Sequence, residues 1–174
     1  MKVAVIYYSF SGNTRNMCEF ISEELNKKGY PTASIVLKPK KETTSFFSQG
    51  REAFLRREIE LLDIEAIRDI SSYDFVIFAS PVWAFTITPA MRSYLKKVQG
   101  LKEKKCLALL TAGSIKGAGK VLREFVLLIT ARGGKVWFKK ALKGNHTKDK
   151  GYLREKLTPA LELILEKGIN APVA

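Results

Sequence analysis

Five short apolar runs alternate along this chain with stretches whose apolar residues recur at helical spacing. The first run, Lys2–Tyr8, is nearly continuous and rich in β-branched residues, the pattern of a strand buried on both faces. Asn13–Lys28 follows with Met17, Phe20, Ile21 and Leu25 on one helical face, and Gly29 closes it. Further strands are predicted over Thr32–Leu37, Asp74–Ala79, Lys105–Leu110 and, shorter, Lys135–Phe138. Further helices are predicted over Ala90–Val98, Ala118–Ala131 and Lys148–Lys167. Pro159 inside the last stretch predicts a kink there, or a helix that starts only at Thr158. Such βαβ alternation implies an α/β fold of three layers, a doubly wound parallel sheet with helices on both faces.

The 174 residues suit one domain, 1–174. The interval Lys38–Ser72 is long for a connection and reads as a helical insertion at about 39–72. One helix is expected around Ser45–Glu58 and a shorter one around Asp63–Arg68, with Phe46, Phe47, Phe54 and Leu55 docking on the body. No stretch approaches the roughly 20 apolar residues that span a bilayer. Met1 leads straight into the first apolar run without a basic leader, so a cytoplasmic protein is expected. Cys18 and Cys106 form no ligand spacing and read as buried small hydrophobes, and no metal site is expected. A single histidine, His146, takes classical triads and multi-histidine metal sites out of serious contention. The charge changes the picture most: 30 Lys+Arg against 17 Asp+Glu give a net charge of +13 and a pI near 9.8. Such a surface suits nucleic acid, an anionic membrane surface or an acidic protein.

In open α/β sheets, ligands bind beyond the carboxyl ends of the strands, so the loops after the first, third and fourth strands carry the chemistry. The first is Ser9-Phe10-Ser11-Gly12-Asn13-Thr14. Its hydroxyls, its glycine and the free N–H groups of the helix start suit a phosphate, with simple capping by Ser11 or Asn13 as the alternative. It lacks the Lys-Ser/Thr ending of a P-loop and the three glycines of a dinucleotide fingerprint, and so fits a monophosphate. The second loop, Ser80-Pro81-Val82-Trp83-Ala84-Phe85-Thr86, places two large aromatics where they can stack on a planar ring or pack on the next helix. The third, Thr111-Ala112-Gly113-Ser114-Ile115-Lys116-Gly117, is small enough to admit a flat ligand.

Ser9–Thr14 resembles the phosphate loop of the flavodoxin family. The run from Tyr73-Asp74 through Ser80-Pro81-Val82-Trp83-Ala84 to Pro89, Arg92 and Leu95 resembles the segment that carries its aromatic flavin loop. The resemblance implies a five-stranded parallel sheet of order 2-1-3-4-5 and a non-covalent FMN cofactor. It implies that Ser9, Ser11, Gly12, Asn13 and Thr14 hold the FMN phosphate. Pro81, Val82, Trp83, Ala84 and Phe85 would line the isoalloxazine, with Thr111, Ala112 and Gly113 on its other side. The expected function is that of a flavodoxin-like flavoprotein in electron transport, or an FMN-dependent oxidoreductase linked to NAD(P)H. No residue stands out as catalytic acid, base or nucleophile.

Electron-carrying flavodoxins are usually acidic around the flavin, whereas here Lys38, Lys40, Lys41, Lys116 and Lys143 are expected at the flavin end of the sheet. Those lysines suit an acidic protein redox partner. The competing reading is a flavin-free basic module that binds nucleic acid or an anionic partner surface. Six lysines fall between Lys135 and Lys150 and five between Lys96 and Lys105, but without the interleaved aromatics of single-strand binders, so nucleic acid is the weaker expectation.

Overall fold

The computed structural model describes residues 1–41 and 58–169. The apolar runs form β1 (Val3–Tyr7), β2 (Thr32–Val36), β3 (Phe75–Trp83), β5 (Lys105–Ala112) and β6 (Lys135–Lys143). They pair in parallel in the order β2-β1-β3-β5-β6. A two-residue strand, β4 (Thr86–Ile87), folds back antiparallel on β3. Setting that short return strand aside, the order is the expected 2-1-3-4-5.

Period-two alternation divides the core between the two sheet faces. Val3, Val5, Tyr7, Phe75, Ile77, Leu107 and Leu109 point to one face. There they meet Met17, Phe20, Ile21 and Leu25 of α1 (Asn13–Lys27) and Leu153, Leu157 and Ile164 of the last helix. Ala4, Ile6, Val76, Phe78, Ala108 and Leu110 point to the other face. They are covered by Met91, Tyr94 and Leu95, and by Val121, Phe125 and Ile129, from two further helices. A short α2 (Ile64–Ile67) precedes β3, α3 (Pro89–Lys97) follows β4, and α4 (Ala118–Thr130) joins β5 to β6. The last helix, α5, spans Lys150–Ile169. The Tyr94 hydroxyl donates to the Ile67 carbonyl at 2.8 Å, tying α2 to the body.

Three boundaries differ most from expectation. β3 runs four residues further, to Trp83, so that Pro81 pairs with Thr111 at the very end of the ladder. β6 runs five residues further, to Lys143. It is the edge strand, and Lys135, Trp137 and Lys139 face water while Val136, Phe138 and Lys140 are half-buried. A bulge beside Cys106 and Leu107 leaves Trp137 out of the pairing. Finally, α5 starts well before Thr158 and is uninterrupted across the exposed Pro159. Asp149 supplies its start, its Oδ1 accepting from the N–H groups of Gly151 (2.8 Å) and Tyr152 (3.2 Å). The expected helix around Ser45–Glu58 lies outside the described residues except for Glu58, while the expected Asp63–Arg68 piece is α2 with its flanking residues.

Candidate functional site

The carboxyl ends of β1, β3, β5 and β6 enclose a cavity of about 560 Å³, within the range of small-molecule sites. Its wall comes from Phe10, Ser11, Asn13 and Thr14, from Pro81–Ala84, from Thr111–Gly113, and from Gly144. None of these side chains is ionisable. Among the described residues no cluster of His, Cys, Asp and Glu could hold a metal ion.

The polar end is the start of α1. Gly12, at the N-cap, has φ 86°, a left-handed conformation that glycine adopts freely. No side chain caps the helix from that position. Asn16 N–H bonds to the Gly12 carbonyl at 2.9 Å, and Arg15 N–H donates to Ser9 Oγ at 3.1 Å. The N–H groups of Ser11, Gly12, Asn13 and Thr14 find no acceptor among the described residues. Four unbonded donors therefore lie at the positive end of a fifteen-residue helix, and three of their residues, Ser11, Asn13 and Thr14, line the cavity. Thr14 Oγ1 and Thr111 Oγ1, both buried, share a hydrogen bond of 2.7 Å that joins the first loop to the third. One hydroxyl proton serves that bond, and the other remains to be donated.

The opposite wall is apolar. The Trp83 ring is braced edge-on by Tyr8 (centroids 5.4 Å apart) and by Phe10 (5.9 Å). Directly after Trp83 the chain reverses through Ala84 and Phe85, with φ 42° and 60°. A two-residue hairpin with both central residues at positive φ is a type I′ turn, which favours Asn-Gly. Alanine and phenylalanine in that conformation each cost about 1–2 kcal/mol. Beneath the turn, Arg92 on α3 is almost wholly buried, and its Nη2 donates to Thr86 Oγ1 and to Glu124 Oε1, both at 2.7 Å. Phe85 is 81% exposed and lies outside the main wall, bordering a shallower adjoining recess of about 210 Å³ with Lys116 and Val121.

Residues 1–142 match the sequence profile of the NADPH-dependent FMN reductases. The chain belongs to that family. It is an FMN-binding, flavodoxin-like redox protein. Among curated proteins no relative matches it. A flavoprotein from Lactobacillus acidophilus, solved in complex with FMN, is similar in fold (TM-score 0.62, 19% identity, 86% of this chain and 98% of that one). So is the Trp repressor binding protein of Bacillus subtilis (0.65, 17%, 94% and 99%). The two-electron reduced flavodoxin of Megasphaera elsdenii is also similar (0.58, 16%, 88% and 98%). At these identities the likeness is one of fold.

Of the residues singled out in this FMN reductase family member's sequence, Ser11, Asn13, Thr14, Pro81, Val82, Trp83, Ala84, Thr111, Ala112 and Gly113 converge on the cavity wall. Ser9 does not: its hydroxyl oxygen accepts from the Arg15 N–H instead. Gly12 shapes the turn behind the wall without lining it. Phe85 faces solvent, because the tight turn throws its side chain outward. Two wall residues escaped sequence reasoning. Phe10 sits inside the phosphate-loop motif, where only its hydroxyl neighbours carry a phosphate signal. Gly144 comes immediately after β6, and a Cβ there would sit 2.9 Å from Asn13 Nδ2. The strand-end rule points to Gly144 once β6 is extended to Lys143.

Proposed function

We propose that this cavity is the FMN site and that the protein is an NAD(P)H-linked reductase. The single observation that carries the reading is the start of α1, with its four unbonded N–H groups, at one end of a cavity whose wall is aromatic and free of ionisable side chains. That donor set fits a phosphate monoester held without lysine or arginine. FMN, when bound, supplies a tricyclic ring that takes up electrons from a nicotinamide. The chain's part is binding: Ser11, Asn13 and Thr14 would hold the phosphate, Trp83 and its neighbours would cover the ring, and Thr111–Gly113 would border its edge. With no acid or base in the wall, the chain moves no proton there.

The basic rim supports delivery of electrons to an acidic protein as well. Phe10, Phe85 and Ile115 are exposed around the mouth, one from each loop, and Lys116 lies beside Phe85. No helix among the described residues is long and apolar enough to cross a membrane. The two free, buried cysteines accord with the reducing cytoplasm in which we place the protein.

Titration of the apoprotein with FMN and with riboflavin tests the site. The reading expects near-stoichiometric FMN binding and much weaker riboflavin binding. Equal affinities would remove the phosphate assignment, and FMN-loaded protein that fails to oxidise NADPH would remove the reductase reading.

A further inference from the structure

Arg92, Glu124 and Thr86 close a ring of hydrogen bonds between three elements. Arg92 Nη2 reaches both Thr86 Oγ1 and Glu124 Oε1 at 2.7 Å, and Thr86 Oγ1 donates to Glu124 Oε2 at 3.1 Å. The arginine side chain is 7% exposed and the glutamate 23%. A buried ion pair is a poor device for stability alone, since apolar residues of similar volume often serve as well. What an apolar pair would not do is grip a hydroxyl at the foot of a turn.

That foot needs gripping. β4 has only two residues and two ladder pairs, Val82 with Ile87 and Trp83 with Thr86. The far end of β4 is fastened by Ser80, whose Oγ accepts from Thr88 N–H (3.2 Å) and shares a bond with Thr88 Oγ1 (3.1 Å). The near end carries Ala84 and Phe85 at positive φ, a conformation that persists only where its surroundings impose it. Thr86 is the first residue after that turn.

We propose that the Arg92–Glu124–Thr86 ring is a clasp that holds the strained Ala84-Phe85 hairpin closed, which makes Arg92 and Glu124 positioning residues for the Trp83–Ala84 wall of the cavity. The inference rests on the reading of that cavity as the FMN site. Neither side chain lines it. Their effect on the ligand passes through the turn: with the clasp open, Ala84 and Phe85 relax toward negative φ and Trp83 leaves its place.

The test uses FMN titrations of wild type, Arg92→Met, Glu124→Gln, Phe85→Gly and the Arg92→Met/Phe85→Gly double variant. Arg92→Met should weaken FMN binding about tenfold and relieve the quenching of flavin fluorescence. The ratio of FMN to riboflavin affinity should hold, because the phosphate loop is untouched. Phe85→Gly should restore most of the affinity lost in Arg92→Met, since glycine accepts positive φ without strain. A merely structural pair would lower thermal stability and leave the folded protein's affinity and its coupling to Phe85 unchanged. If Arg92→Met fails to fold, Glu124→Gln carries the same expectation with a smaller loss. Affinities within twofold of wild type in both variants, or no recovery by Phe85→Gly, overturn the clasp. Should wild type bind no FMN, the functional reading falls instead, and hydrogen exchange decides the clasp. Trp83–Ile87 amides released by Arg92→Met support it, and amides equally protected in both proteins overturn it.

Discussion

Replacing Trp83 by alanine separates a ligand-facing wall from ordinary packing. The ring makes two edge-on contacts, with Tyr8 at 5.4 Å and Phe10 at 5.9 Å. Each such pair contributes about 0.5–1.5 kcal/mol beyond area burial, so their joint loss costs roughly 1–3 kcal/mol of stability. Trp83 is only partly buried, which keeps the cost below the 3–5 kcal/mol typical of emptying a closed core site. Stacking of an aromatic side chain on a heterocycle adds about 1–3 kcal/mol to binding, by analogy with nucleobases. Trp83→Ala should therefore weaken FMN binding by roughly 5- to 150-fold and restore flavin fluorescence, while Trp83→Phe keeps most of the affinity. The assay is a fluorescence titration at fixed pH and salt, paired with a thermal melt of each variant. Unchanged affinity and quenching, together with a lower melting temperature, would refute the reasoning and make Trp83 part of the framework only.

Gly144→Ala should weaken FMN binding by about 1 kcal/mol, roughly fivefold, with little change in melting temperature, because the new methyl group displaces the Asn13 side chain. Equal affinity by calorimetry would mean that Asn13 is not engaged. Thr111→Val should destabilise the protein by about 1–3 kcal/mol by stranding the Thr14 hydroxyl, and Thr14→Val/Thr111→Val should cost less than the two single changes added together, as read by urea unfolding. Cys18 and Cys106 should react with dithionitrobenzoate at pH 8 only after unfolding. Burial pushes both thiols up, Cys106 to about 12, leaving roughly one thiolate in ten thousand there. Since the raised value favours the protonated native state, the stability this gives is full below about pH 8.5 and is lost as pH rises toward 12, which urea midpoints across that range will show.

The parts of this fold that could be read from the sequence are those in which local pattern and tertiary role agree. β1 is an unbroken apolar run because both of its faces are covered, and the hydroxyl-rich turn after it is legible because Gly12 and the helix start are local features. The sequence ends β3 early because Ser80-Pro81 reads as a turn. Proline is tolerated there because Pro81 makes the last pair of the ladder, with Thr111. The pattern ends β6 early because lysines occupy its outward positions, and Gly144 then falls outside the strand-end loops. Arg92 was visible within the aromatic-loop motif. Its partner Glu124 is 32 residues away on another helix, and no local pattern announces a contact of that kind.

The net charge of +13 looks at first like the site's own chemistry, and the geometry assigns it elsewhere. Lys38, Lys41, Lys116 and Lys143 are exposed, and Lys40 is paired with Glu60 at 3.2 Å. None of the five is in the cavity wall. On the proposed reading, an anion in the cavity would be met by backbone dipoles and hydroxyls, whose arrangement is fixed by the helix. Lysines at the rim act through solvent, so their influence fades beyond about 8–10 Å at ordinary ionic strength. On the proposed function, short-range recognition of the phosphate would be neutral side-chain chemistry on a helix start, while the lysines would attract an anionic partner that approaches the mouth. Two separate salt responses follow from that division. Ligand affinity set by the N–H cradle varies little with salt, and association with an anionic donor or protein slows steeply as salt rises. That division would let the protein keep its cofactor while reaction partners come and go, as the proposed reductase function requires.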